Sequence, residues 1–220
     1  MKKYTLFFLI FCLSCVLYAQ NQTYSTFWYQ RVSLFEKLPV SNEDILFLGN
    51  SITNGGEWVE LFNDTRLKNR GISGDICQGV YDRLNSIVTG KPAKIFLMIG
   101  INDIARGTSP DMIIDQIDQI IQKIQLESPT TIIYLQSILP VNNSFGMFEG
   151  HTSRWETIKP LNKRLANLAN KRKIIYINLY SYFVTPGTDK LNPQYTNDGL
   201  HLLGDGYIKW VELVKPYINE

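Results

Sequence analysis

Five short apolar runs, separated by stretches with helical spacing, set the frame of this chain. The runs cover residues 44–49, a shorter segment closing at Arg70-Gly71-Ile72, then 94–99, 130–136 and 173–178. Their near-continuous apolar character suits strands of a parallel sheet covered on both faces, where alternation with polar residues is not required. Between them, residues 57–63, 76–88, 110–126, 155–169 and 205–217 carry apolar residues at three- and four-residue intervals. The third of these helices repeats Ile113, Ile117, Ile120 and Ile124, and Ser109-Pro110 supplies a cap and first turn. These stripes read as core faces. Strand and helix alternate along one continuous unit, which predicts an α/β fold, a three-layer α/β/α sandwich around a five-stranded parallel sheet. Residues 24–37 form an aromatic-rich arm or short helix ahead of the first strand. The one long irregular stretch, 141–153, holds Phe145, Met147 and Phe148 and is expected to wall a pocket at the sheet edge.

Composition changes this picture at the N-terminus. Lys2-Lys3, an apolar run to Ala19 and the polar Gln20-Asn21-Gln22 read as a secretory signal peptide cut after Ala19. Lipid attachment at Cys15 is the alternative. The expected organisation is therefore a signal at 1–19, an arm at 20–42 and one α/β domain at 43–220. The protein would be exported, periplasmic or secreted, with a lipid-anchored form as the variant. No later stretch is long and apolar enough to span a membrane. Of 22 basic residues, Lys2 and Lys3 leave with the signal, so 20 basic face 20 acidic residues. That balance argues against nucleic-acid binding, which needs a basic face. Lys171-Arg172-Lys173 reads as a solvated helix end. Cys12 and Cys15 also leave, so Cys77 stands alone, without a disulfide framework or a CxxC metal site, and is expected to be packed in a helix.

The strand ends carry the chemistry. The first strand breaks into Gly49-Asn50-Ser51, placing a serine where open α/β sheets put their ligands. Helix capping is the competing role for Ser51. A serine needs a base, usually histidine, and the chain has two, His151 and His201. His201 follows Asp198 by three residues, a spacing at which a carboxylate reaches the imidazole and fixes its tautomer. His151 lies in the irregular loop, with no nearby carboxylate except Glu149. An acyl-transfer enzyme also needs donors for the oxyanion. The turns Gly71–Asp75 and Gly100–Asp103 offer the Gly74 N–H and the Asn102 amide.

Together these blocks resemble the SGNH hydrolases, the GDSL lipase/acylhydrolase family, and within it the group similar to the platelet-activating-factor acetylhydrolase catalytic subunits. Gly49-Asn50-Ser51-Ile52-Thr53 matches the first block, Asn69–Asp75 the second, Gly100-Ile101-Asn102-Asp103 the third and Asp198-Gly199-Leu200-His201 the last, across roughly 43–218. The resemblance implies a flavodoxin-like strand order 2-1-3-4-5 and hydrolysis through an acyl-enzyme, with no metal or cofactor. Ser51, Asp198 and His201 would be catalytic; Ser51, Gly74 and Asn102 would form the oxyanion hole. Asn50 replaces the usual Asp and is expected to keep the hydrogen bonds of the turn. Thr53 replaces the Leu of the named motif.

The expected reaction is hydrolysis of short-chain, mainly acetyl, esters on carbohydrates, with Trp58, Phe145, Phe148 and Trp155 as stacking surfaces for sugar rings. A lysophospholipase or thioesterase is the alternative enzyme, and would require an apolar groove near Phe145, Met147 and Phe148. A carbohydrate-binding protein without catalysis on the same fold is the alternative of another class. The expected partner is a small-molecule or glycan ester, and a homodimer is compatible with this reading.

Overall fold

A computed structural model describes residues 23–220. The signal peptide, its cut after Ala19 and the Cys15 alternative lie outside the described residues. In chain order the elements are α1 (Thr26–Lys37), β1 (Ile45–Gly49), α2 (Ser51–Asn54), α3 (Trp58–Phe62), β2 (Leu67–Gly71), α4 (Cys77–Asp82), α5 (Asn85–Val88) and β3 (Lys94–Met98). Then follow α6 (Ile101–Ala105), α7 (Pro110–Glu127), β4 (Ile132–Gln136), α8 (Glu149–Thr152), α9 (Trp155–Arg172), β5 (Ile175–Ile177), α10 (Tyr180–Phe183) and α11 (Gly204–Ile218). The sheet has the order β2-β1-β3-β4-β5, and every pairing is parallel.

The apolar runs explain the sheet. β1 and β3 are buried along their whole length, as central strands between two helical layers must be. Ile113, Ile117, Ile120, Ile121 and Ile124 of α7 are all buried, as are Ile158, Leu161, Leu165 and Leu168 of α9. Ser109 caps α7 by accepting a hydrogen bond from the Met112 N–H at 3.3 Å, with Pro110 in the first turn. Arg172 of α9 pairs with Asp118 of α7. The helix expected over 76–88 is divided. Its turns at Arg83 and Leu84 tighten to three-residue hydrogen bonds, with Leu84 N–H on Tyr81 O at 3.3 Å and Ile87 N–H on Leu84 O at 2.8 Å. Arg83 points inward at this break, fully buried.

Two features position the site. First, the chain leaves β1 toward β2 on one side and then crosses to β3 on the other. The loops after β1 and β3 therefore part at the C-terminal edge and leave a crevice. Second, the aromatic arm is a docked helix. Ser25 caps α1, and Trp28 and Phe35 pack with Ile72 in a small core of their own. The Arg70 guanidinium lies 4.8 Å from the Phe35 ring centre. No described helix is long and apolar enough to cross a membrane.

Candidate active site

The turn after β1 is built to hold Ser51 at the start of a helix. Asn50, not Ser51, is the cap: its Oδ1 accepts the Ile52 N–H at 3.0 Å. The hydrogen bond expected of Asn in place of Asp is therefore made. Ser51 is the first helical residue, so its N–H has no partner within the helix and its side chain is free for other work. The neighbouring β2 edge presses close. A Cβ at Gly71 would lie 2.3 Å from Asn54 N and 2.8 Å from Asn50 O, so a side chain there would displace the turn. Asn69 completes the clamp: its Nδ2 donates to Asn54 O and Gly56 O, each at 2.9 Å. From below, Tyr207 Oη donates to Ile52 O at 2.9 Å and Trp58 Nε1 to Thr53 O at 3.0 Å.

Asp198 and His201 meet this serine from the far end of the chain. Ser51 Oγ stands 3.1 Å from His201 Nε2, and His201 Nδ1 stands 2.8 Å from Asp198 Oδ2. The carboxylate only accepts, so Nδ1 is the protonated nitrogen and Nε2 is left as the acceptor facing the hydroxyl. The other Asp198 oxygen accepts the N–H groups of Leu200 and His201, both at 2.8 Å. Burial opposes ionisation of Asp198, but these two backbone bonds and the imidazole outweigh it and hold the carboxyl below its ordinary range. Thr196 Oγ1 accepts the Gly199 N–H at 2.9 Å and closes the turn.

On the other side of Ser51, Gly74 adopts φ 78°, a left-handed conformation open to glycine at little cost. Its N–H has no hydrogen-bond partner among the described residues, while its carbonyl accepts from Arg106 Nη2 at 3.2 Å. Asn102 reaches across from the β3 loop, with Nδ2 donating to Asp75 O at 2.7 Å. Beneath lies a buried polar network. Asp75 accepts from Trp28 Nε1 at 3.1 Å and from Arg83 Nε at 2.8 Å, and Arg83 Nη2 reaches Gly49 O at 3.1 Å and Arg70 O at 2.9 Å. Asp103 receives the Cys77 N–H on both oxygens. Burial pushes the Cys77 thiol well up, which suits a packed residue rather than a nucleophile.

The four expected aromatic surfaces separate. Phe148 stands at the site, 5.0 Å from the His201 ring centre and edge-on to it, and is exposed together with Met147. Phe145 packs under the Asp198–His201 turn, near enough that a Cβ at Gly199 would meet its ring at 3.3 Å. Trp58 is a correction: it is 1% exposed and stacks on Phe47 at 3.9 Å. Its indole is sandwiched beneath the serine helix and offers nothing to a sugar. Trp155 keeps part of its ring at the surface. It packs partly buried against the core, with Lys190 5.3 Å from its ring centre.

Two features escaped the sequence. A cleft of about 450 Å³ beside Gly74 is lined by Tyr24, Phe27 and Trp28 of the N-terminal segment with Ser73 and Arg106. The aromatic density of the arm was the available signal. The other is His151, whose Nε2 lies 2.9 Å from Asn102 Oδ1; residues so far apart leave no pattern to read.

A profile of the GDSL-like lipase/acylhydrolase family matches residues 47–208. A proposed platelet activating factor from Streptococcus pneumonia superimposes with a TM-score of 0.80 at 28% identity, over 87% of this chain and 92% of that one. A GDSL-like lipase from Bacteroides thetaiotaomicron gives 0.75 at 27% identity, over 87% and 97%. A variant of an acetyl-xylooligosaccharide esterase from Geobacillus shares the fold at 0.65 and 18% identity, over 82% and 96%. No curated protein sequence matches the chain.

Proposed function

The chain belongs to the GDSL-like lipase/acylhydrolase family, and from that premise we propose that it is a serine esterase acting on short-chain, mainly acetyl, esters of carbohydrates. The observation that carries this reading is the unbroken chain Ser51 Oγ, His201, Asp198 at 3.1 and 2.8 Å on the C-terminal edge of the sheet. Ser51 Oγ attacks the ester carbonyl carbon as His201 Nε2 takes its proton. Asp198 holds the imidazole in the needed tautomer and stabilises the imidazolium. Negative charge builds on the carbonyl oxygen and is met by the N–H groups of Ser51 and Gly74 and the second Nδ2 hydrogen of Asn102. The tetrahedral intermediate collapses, the alcohol leaves with the proton from His201, and an acyl-Ser51 ester remains. Water, deprotonated by His201, then attacks that ester and releases the acid.

The cleft beside Gly74 supports a polyhydroxylated alcohol as leaving group. Phe27 offers an exposed ring, while Ser73 and Arg106 offer polar partners. One observation favours the lysophospholipase or thioesterase alternative: Met147 and Phe148 form an exposed apolar pair beside His201, a starting surface for a fatty chain. Hydrolysis of nitrophenyl esters of increasing acyl length, alongside acetylated sugars, separates the two. The acetyl reading expects kcat/KM to fall steeply beyond a few carbons and acetylated sugars to be turned over. A rate that rises with chain length assigns the alternative, and the absence of hydrolysis on every ester assigns the binding protein.

A further inference from the structure

We propose that His151 is a positioning residue that acts through Asn102, locking the orientation of the oxyanion-hole amide; this rests on the esterase reading above. Asn102 is 7% exposed and has a partner on each side of its amide. Nδ2 lies 2.7 Å from the Asp75 carbonyl, which can only accept, so the nitrogen must face it. Oδ1 therefore faces His151 Nε2 at 2.9 Å, and that nitrogen must carry a hydrogen. His151 is thus in the Nε2–H tautomer, the reverse of His201, whose Nε2 must be bare to accept from Ser51.

The second Nδ2 hydrogen is what remains for the substrate oxygen. Turned over, the same amide would aim Oδ1 at the Asp75 carbonyl and present no donor to the crevice. Asp75 disfavours the turned state by repulsion, and His151 favours the working state by donation. The imidazole is itself held by its loop: Phe148, at φ 50°, packs edge-on against both His151 and His201, at 6.2 and 5.0 Å. A non-glycine residue in this region costs conformational energy and persists where the surroundings enforce it. The titratable and charged groups around His151 are His201 and Arg106, with Glu149 in its own helix. Protonation of His151 leaves the Nε2 hydrogen in place, so the lock does not depend on its charge.

The test is a substitution series measured on an acetyl ester. His151→Ala is expected to lower kcat about 10-fold with KM within about twofold, less than the roughly 10²–10³-fold loss that accompanies deletion of an oxyanion donor. His151→Gln places an amide nitrogen near the Nε2 position and should recover most of kcat with the acid limb of the pH profile unmoved. His151→Asn, one bond shorter, should not. His151→Ala added to Asn102→Ala should cost nothing further. Unchanged turnover in His151→Ala, failure of Gln to rescue, or additive losses would each overturn the proposal. Nitrogen NMR of the wild-type imidazoles tests the tautomer without any variant, and the chain's two histidines keep the assignment simple. A bare Nε2 on His151, with the hydrogen on Nδ1 alone, would also overturn it. Failure of the esterase reading looks different: wild-type turnover in His201→Ala displaces the base and leaves the tautomer result standing.

Discussion

The two flanks of Ser51 are built in opposite ways. The histidine flank is mostly local: residues 196–201 supply the hydrogen bonds of the Asp198 carboxylate with its own turn and with His201, joined from outside by the Asn142 N–H on the Gly199 carbonyl at 2.8 Å. The oxyanion flank is collective. Gly74 and Asn102 are held by Arg106, by the Asp75 carbonyl and by His151, over a buried network that reaches Trp28 in α1 and Arg83 between α4 and α5. A local turn is specified by a few adjacent residues and travels as a unit. A collective one depends on the docking of elements far apart in sequence, so more substitutions reach it and most of them act at a distance.

Ser51→Ala tests what both flanks serve and has the largest expected effect. Turnover should fall by a factor of about 10⁴ or more, with no acyl-enzyme burst and an unchanged unfolding midpoint. On the local flank, Asp198→Asn should leave the fold intact and lower kcat about 10⁴-fold by releasing the wrong imidazole tautomer. The collective flank should answer in stability as well as rate. Arg83→Ala strips Asp75 of its ion pair where both side chains are essentially buried and should cost about 3–5 kcal/mol in denaturant unfolding. Trp28→Phe removes one hydrogen bond to the same carboxylate and should cost about 1.5–3 kcal/mol, with a modest fall in kcat. If Arg83→Ala were as stable as the wild type, or Asp198→Asn as destabilised as Arg83→Ala, the contrast between the flanks would be lost.

The smallest effect is a pH dependence of the local flank. The folded-state pKa of Asp198 is depressed, since its backbone donors and imidazole outweigh burial. Its contribution is therefore fully present above the ordinary carboxylate range and lost as pH falls through the lower folded value. Acid unfolding of the wild type and Asp198→Asn should diverge above that window and converge below it.

The same contrast explains what the sequence made legible. The strands, the Ser51 turn and the Asp198–His201 turn rest on contiguous residues whose types and spacing carry their own physics, whereas the strand order came with the family resemblance. Asn50 was readable as a conservative replacement because its hydrogen bond runs two residues along the chain. His151 was not, because the Oδ1 it meets belongs to a residue 49 positions away and no periodicity joins them. The division of helix 76–88 was hidden for a similar reason: Arg83 turns inward toward carbonyls on two strands. Trp58 was misassigned because an indole near a strand end reads the same whether it faces a crevice or lies under it, and the Phe47 stack decided the matter.

The separation of 150 positions between Ser51 and His201 has a consequence for how the protein comes into being. The proposed nucleophile and base lie far apart in the described chain, and Tyr207 of the last helix holds the carbonyl of Ile52. A growing chain that has completed the first four strands already owns its serine but has no histidine partner for it and lacks the Tyr207 bond to the serine turn. Contacts of such long separation close late, so the proposed esterase activity should return in refolding after the sheet has formed, and its appearance would mark the final docking of the C-terminal helix. Hydrolysis then serves as a timer for the last step of folding.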